Sequence, residues 1–426
     1  MSVQATPIAF YDQPHQFLPL MPAGHPLDEL GRMARPVVEA SLRLQAATNE
    51  ETRSQLRELT RAMNSYYSNR IEGQSTHPVH IAQALRKDFS DKPDVAKRQR
   101  LALAHIEAEA ELEALLAHAA AHPSVRQQHP DAGDAAHAVA FQSEMLVKAH
   151  DLLYRRLSQD DRVSEAGLVI VPGQLRQQDV AVQRHQPPIA HAVPRFLRAA
   201  DDAYAKPWAL ESFLVAAACQ HHRMLWVHPF IDGNGRACRL QLHGAMHHLT
   251  RGLWSVNRGL ARRQDEYYVR LSEADMPRHG DLDGRGNLSE RMLVEWCRFF
   301  IGVCKDQVDF MTQVLDLARI KEHIAALIVF RAQTAKELRP NASDYRKELI
   351  LPLQHVMIAG PVSRGDFVQM TGLGERTGRK ALKAMLDDGL LQSDSPKGQV
   401  RIGFPLDALS MLFPRLYPEA GAVVLD

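Results

Sequence analysis

His228-Pro-Phe-Ile-Asp232-Gly-Asn-Gly-Arg236-Ala-Cys-Arg239 is the stretch on which this 426-residue chain turns. Apolar residues at helical spacing lead up to it (Phe213, Leu214, Ala217, Met224, Val227) and resume after it (Leu240, Leu242, Met246, Leu249). The pattern predicts helix, tight loop, helix, with Gly233-Asn234-Gly235 opening the second helix. Two glycines and an asparagine tolerate positive φ, so the N–H groups of such a turn can converge on an anion. The helix dipole adds partial positive charge at the same point. Arg236 and Arg239, three apart, can both project toward that anion. Asp232 would repel a bare phosphate but suits a divalent cation bridging phosphate oxygens. His228 is the right side chain to take a proton near neutral pH at the edge of such a group. Phe230 reads as a core anchor for the loop.

The pattern His-Pro-Phe-x-Asp-Gly-Asn-Gly-Arg-x-x-Arg resembles the signature of the Fic family, and every defining position is filled. The resemblance implies a mainly α fold, a Fic helical core with a short β-hairpin flap. It also implies a protein adenylyltransferase that moves AMP from ATP to a Ser, Thr or Tyr hydroxyl, with Mg²⁺ required. Under it His228 is the catalytic base and Asp232 the metal ligand. Gly233, Asn234, Gly235, Arg236 and Arg239 bind the nucleotide. Some members use other nucleotides or remove AMP, and a DNA-binding regulator with a nucleotide-sensing core is the competing class.

Upstream, Leu56, Leu59, Met63, Tyr66 and Ile71 recur at helical spacing and predict an amphipathic helix over about 54–73, ending at Gly73. Ser68 and Glu72, four apart, share one face of it. Ser68-Asn-Arg-Ile-Glu72-Gly73 resembles the family's inhibitory motif, Ser/Thr-x-x-x-Glu-Gly/Asn. In that motif the glutamate pairs with the second arginine, here Arg239, and occupies the place of the γ-phosphate. A carboxylate–guanidinium pair is bidentate and charge-assisted, so it competes credibly with phosphate. Autoinhibition by Glu72 is the expectation.

The length predicts two or three domains. The division is an N-terminal helical region over 1–120, a Fic core over 121–305, a helical connector over 306–350 and a winged helix-turn-helix over 351–426. A formal net charge of +1 provides no global field for nucleic acid or membrane. The four cysteines fall in apolar helical patterns without C-x-x-C spacing and read as buried thiols. Residues 1–31 contain no Lys or Arg and no long apolar run, and Ile324–Phe330 is too short to cross a bilayer. The expectation is a cytoplasmic protein with no membrane contact.

Residues 1–25 suggest an extended arm lying on the body, or partial disorder. Helices are expected near 34–47, 91–121 and 134–157, with His122–Gly133 a loop. Val169 to Gln183 reads as the flap hairpin, where a protein target docks by strand addition; Gly173-Gln-Leu-Arg176 loosely resembles the family's Gly-x-x-Arg stretch. Self-modification is a further expectation. His221, His222, His243, His247 and His248 do not present three ligands on one helix face, so zinc is set aside. Asp281–Ser289 has Arg285 and Met292 where a calcium loop needs oxygen ligands, so Ser289 reads as a helix cap. Tyr267 and Tyr268 read as core. In the last segment Arg376, Arg379, Lys380 and Lys383 offer a face for DNA, or the module serves protein or homodimer contact.

Overall fold

The computed structural model describes residues 10–164, 167–182, 185–334 and 344–421. Its helices begin with α1 (His25–Ala46), α2 (Glu50–Ile71), α3 (Pro78–Leu85) and α4 (Pro93–Ala121). Next come α5 (Pro123–Gln128), α6 (Ala132–Ala140), α7 (Ser143–Tyr154), α8 (Val193–Tyr204), α9 (Leu210–Val227) and α10 (Asn234–Thr250). They continue as α11 (Val256–Arg262), α12 (Gln264–Ala274), α13 (Glu290–Val314) and α14 (Leu317–Gln333). The fold is mainly helical, as the sequence predicts.

Two helical boundaries depart from expectation. The segment 122–133 contains α5, because Pro123 suits a first helical turn and the His122 ring accepts the Ser124 N–H. The helix expected over 134–157 is two helices, α6 and α7, broken at Phe141-Gln142. At the break the Ala140 and Gln142 carbonyls accept the Gln241 side-chain amide instead of continuing a helix.

Helix α9 is the axle. Phe213 through Met224 are buried on every face, which is the pattern of a helix enclosed by others and not of an amphipathic surface helix. It packs against α1, α8, α10 and α13. Trp296 of α13 donates its indole N–H to the Ala218 carbonyl at 2.7 Å, so even the polar edge of that ring is satisfied in the core. Helix α10 follows α9 and is similarly enclosed, against α4, α6, α7 and α9. The four cysteines are buried and free.

Around this pair, residues 10–24 lie along the body. Phe17 is fully buried against Phe196 and Trp226, and the Leu18 carbonyl accepts the Leu288 N–H. Residues 1–9 lie outside the described residues. Ser289 caps α13 by accepting the Met292 N–H, and Asp283 takes the N–H groups of His279 and Arg291. The loop's carboxylate is therefore spent on backbone.

The hairpin expected over 169–183 is not a ladder. Isolated antiparallel bridges, Val163↔Val169 and Val182↔His185, stand at its two ends, and Gln183 lies outside the described residues. Pro172 and Gly173 (φ +70°) interrupt the extended chain, and Arg176 ties the segment to the loop after α9. Between the two bridges its N–H groups at Gly173 and Arg176 go to His150 and to the Pro229 carbonyl, not to a partner strand.

Helix α13 runs through the 305/306 division, and 335–343 of the connector lies outside the described residues. The C-terminal part holds α15 (Ile350–Ala359), α16 (Arg364–Met370), α17 (Glu375–Asp387), strands β1 (Leu391–Gln392) and β2 (Arg401–Ile402), and α18 (Leu409–Leu412). The strands are antiparallel, with Leu391 opposite Ile402. Residues 422–426 lie outside the described residues. On α17, Arg379 pairs with Glu375 and Lys383 with Asp387, so half of the basic residues expected to face DNA have their charge offset within the helix. No helix among the described residues is long and apolar enough to cross a membrane.

Candidate active site

The loop between α9 and α10 is fixed from several sides. His228 ends α9 in a left-handed conformation, φ 50°, ψ 62°. For a residue with a Cβ this costs roughly 1–2 kcal/mol, so neighbouring contacts must hold it. The buried Arg176 supplies them: its Nε donates to the His228 carbonyl at 2.8 Å and its backbone N–H to the Pro229 carbonyl at 2.9 Å. Asn234 closes the loop on itself, accepting the Phe230 N–H and donating to the Phe230 carbonyl, both at 2.9 Å. The Phe230 ring is fully buried and stacks on His150 at 3.9 Å. His150 Nδ1 accepts the Gly173 N–H, so its Nε2 carries the proton and donates to the Asp232 carbonyl at 3.2 Å.

Helix α10 starts at Gly233, whose φ is +76° and which offers no capping side chain. A Cβ there would lie 2.2 Å from the Tyr154 hydroxyl, so only glycine fits. Gly233 N–H donates to Asp232 Oδ1, while Asp232 Oδ2 takes no hydrogen bond among the described residues. Beyond Gly233, the first N–H groups of α10 have no helical partner and keep their capacity for an anion.

Helix α2 ends against this turn. Its last residues form a Schellman closure: Gly73 N–H reaches the Arg70 carbonyl (3.0 Å) and Gln74 N–H the Asn69 carbonyl (2.8 Å), with Gly73 at φ +71°. That closure aims Glu72 at α10. Glu72 Oε1 is 2.5 Å from Arg239 Nη2. Arg239 also donates from Nε to Ser68 Oγ (3.0 Å) and from Nη2 to the Ser68 carbonyl (3.1 Å). Its Nε and Nη2 protons thus all go to the end of α2. A Cβ on Gly235 would come within 2.3 Å of Glu72 Oε1, so the carboxylate rests on the glycine turn itself. Arg236 is held apart: Nη1 donates to Gln74 Oε1 at 3.0 Å, and Nη2 is 4.0 Å from Asp232 Oδ1.

These groups border a cleft of 760 Å³, lined by Glu72, Tyr154, His228, Asp232 and Arg236, with Val180 and Ala181 across from them. Arg239 is not among the lining residues; Glu72 stands in front of it. Burial opposes the charged form of Glu72, but Arg239 and Arg236 outweigh it and hold the carboxyl below its usual range. Burial pushes the His228 imidazole down to about 4, helped by His185 and Arg176, so it is a neutral base at pH 7.

Every residue singled out in the two motifs thus lies at this one junction. Sequence reasoning missed Tyr154, His150 and Gln74, and did not anticipate that Arg176 would be a tie and not a surface group. The first three have no motif of their own and only proximity in space selects them; Arg176 stands in the Gly-x-x-Arg stretch, which by itself names no contact. Tyr267 is buried and bonded to His221 (2.9 Å), whereas Tyr268 is half-exposed and donates to the Ile71 carbonyl at 2.7 Å, bracing the end of α2.

Comparison with known proteins adds the following. Residues 140–244 match the Fic/DOC family. The "Protein adenylyltransferase Fic" of Nematostella vectensis is 31% identical over 113 residues, 26% of this chain and 25% of that protein. The chain therefore spans about a quarter of the length of that relative. Among solved structures, a Fic family protein from Desulfovibrio desulfuricans G20 is 18% identical, with a TM-score of 0.48 over 90% of this chain and 98% of the other. A Fic-domain-containing signaling protein from Bacteroides thetaiotaomicron is 14% identical, with a TM-score of 0.47 over 66% and 95%.

Proposed function

We propose that this chain, which carries a Fic/DOC family domain over residues 140–244, is a protein adenylyltransferase that Glu72 holds in an inhibited state. The reading rests on one observation above the others. A neutral histidine, a glycine-rich helix start and Arg236 meet at one cleft, and the carboxylate of Glu72, at the end of α2, stands there paired with Arg239 behind it.

The protein hydroxyl loses its proton to His228 as its oxygen bonds to the α-phosphorus of ATP. The bond from that phosphorus to the β-bridging oxygen breaks, and pyrophosphate leaves. Charge growing on the phosphate oxygens meets the free N–H groups at the start of α10 and the Arg236 guanidinium. Arg239 joins them once Glu72 withdraws. The Asp232 carboxylate faces the cleft with an oxygen free of hydrogen bonds, which fits a hard cation. Asp232 would hold Mg²⁺, which supplies further neutralisation of phosphate charge. The half-exposed chain from Val169 to Val182 borders the cleft and would receive an extended target segment, which can also belong to a second copy of the protein.

Incubation of the wild-type and Glu72→Gly proteins with α-labelled and γ-labelled ATP tests the assignment. Label should stay on protein from the α-position only. Retention of γ-label would make the protein a kinase, and no retained label in either protein with ATP would remove the adenylyl-transfer reading. UTP and GTP run in parallel read the base preference.

A further inference from the structure

Further along α10 from the cleft, on the face that carries Arg236 and Arg239, α4 and α10 bring Glu113, His243 and His247 together, with one ligand atom of each within 4.8 Å of the others. His243 Nε2 is 3.1 Å from Glu113 Oε1, and His247 Nδ1 is 3.6 Å from the same oxygen. A tetrahedral ion with bonds of about 2.0–2.1 Å to nitrogen and oxygen places neighbouring ligand atoms roughly 3.4 Å apart. The two observed spacings bracket that value. The histidine spacing alone argued against zinc, because α10 presents only two ligands on this face. The third comes from α4, 130 residues away in sequence.

The surroundings are those of a built site. His247 Nδ1 is buried and has no hydrogen-bond partner among the described residues, so its lone pair is available. Arg61 takes the other oxygen of Glu113 at 2.5 Å and fixes that carboxylate's orientation. Coordination through His243 Nε2 leaves the ring proton on Nδ1, 3.1 Å from the Asn64 side-chain amide. Turned over, that amide accepts this proton and donates to the Ser255 hydroxyl, and its contact with Glu109 Oε1 then requires that carboxyl to be protonated. Glu109 Oε1 also lies 3.1 Å from His243 Nε2, and burial pushes its carboxyl up to about 7. A cleft of 410 Å³ lined by Glu113, Gly244, His247 and Arg251 opens the cluster to solvent and gives an ion its way in.

We propose that Glu113, His243 and His247 bind a divalent transition-metal ion, Zn²⁺ by preference, with a water from the adjoining cleft as fourth ligand. Two imidazoles and one carboxylate select such an ion over Mg²⁺ or Ca²⁺, which prefer oxygen alone. The bound ion staples α4 to the helix that carries Arg236 and Arg239. It is separate from the cation expected at Asp232.

Untagged protein, stripped with a chelator and titrated with Co²⁺, tests this by visible absorption. One equivalent with the intense d–d bands of tetrahedral Co²⁺ is expected, displaced by Zn²⁺ and unchanged in Asp232→Ala. His247→Ala should weaken Co²⁺ by more than the roughly 10–100-fold that loss of an outer-shell partner costs. Glu113→Gln should act the same way, and circular dichroism verifies that each variant is folded. Saturating Zn²⁺ should raise the melting temperature of the wild type and not of His247→Ala. Absence of a saturable equivalent, or binding equally tight in folded His247→Ala and Glu113→Gln, overturns the proposal.

Discussion

At the scale of single residues, His228 owes its suitability as a base to where α9 ends. The left-handed turn at its own Cα moves the ring off the helix axis and into a mostly buried position. Burial, with His185 and Arg176 nearby, holds its pKa down to about 4. Lowered in this way, the imidazole is neutral above about pH 5 and takes up a proton only as the pH falls through about 4. Transfer should therefore be flat with respect to this group from pH 5 to 8 and fail below that, where imidazolium cannot accept a proton. His228→Ala should lower the transfer rate by about 10²–10⁴-fold while ATP affinity by calorimetry stays near wild type. A variant that transfers AMP at the wild-type rate would remove His228 from the chemistry. Asn234 is a caution at the same scale. The sequence gives it a backbone role toward phosphate, and its side chain has another: both of its polar ends are committed to Phe230.

At the scale of elements, the end of α2 and the start of α10 form one clasp. Glycine permits the contact on both sides: Gly73 turns the chain at φ +71°, and Gly235 leaves room for the Glu72 carboxylate. The carboxylate is tethered to the same chain, so its effective concentration at Arg239 is high, in the millimolar range or above for a short tether. On the proposed function, ATP must displace it to place its γ-phosphate on Arg239. Glu72→Gly should raise self- and target modification by ten-fold or more, since about 1.4 kcal/mol lost from the clasp is ten-fold in the competition. The double variant with His228→Ala should be silent, which separates relief of inhibition from loosening of the fold. If Glu72→Gly binds ATP no better than wild type, the ion pair at this junction is structural only.

At the scale of the whole molecule, α2 is gripped by parts of the chain far from it in sequence. Near its start, Asn49 and Thr52 donate to the Met357 carbonyl at the end of α15, and Glu51 pairs with Arg401. Near its end, Glu419 accepts from the Tyr67 hydroxyl (2.9 Å) and pairs with Arg70 (3.0 Å), while the Tyr417 ring packs on Tyr66 and Tyr67. The segment that carries Glu419 is itself held by Arg258, which donates to the Arg415 and Leu416 carbonyls. The C-terminal part thus braces the helix that ends at Glu72. Glu419→Ala should remove a partly exposed ion pair and a tyrosine hydrogen bond, together about 1 kcal/mol. If that bracing favours the clasped state, basal transfer rises about five-fold, as 1 kcal/mol allows. Unchanged transfer in a folded Glu419→Ala protein would separate the C-terminal part from control of the site.

Sequence alone determined the helix–loop–helix at 228–239, the termination of α2 at Gly73 and the mainly helical class. Each of these is set by local backbone chemistry: glycines where φ is positive, apolar residues at helical spacing, and a side-chain inventory suited to phosphate. The pairing of Glu72 with Arg239 was reachable only through likeness to a known motif, since nothing local joins residues 167 apart. Tertiary structure alone decided the rest. Tyr154, His150, Arg176 and Gln74 acquired their places because α7, the segment after it and the turn after α2 fold against one loop. The middle of the segment expected as a hairpin is tied to that loop through Arg176, and alternation in sequence carries no record of such a competitor. The Glu113–His243–His247 cluster is the plainest case. Two histidines one turn apart are legible on α10, but their third partner arrives from α4, and packing, which decides what faces a helix, is not written in any one helix.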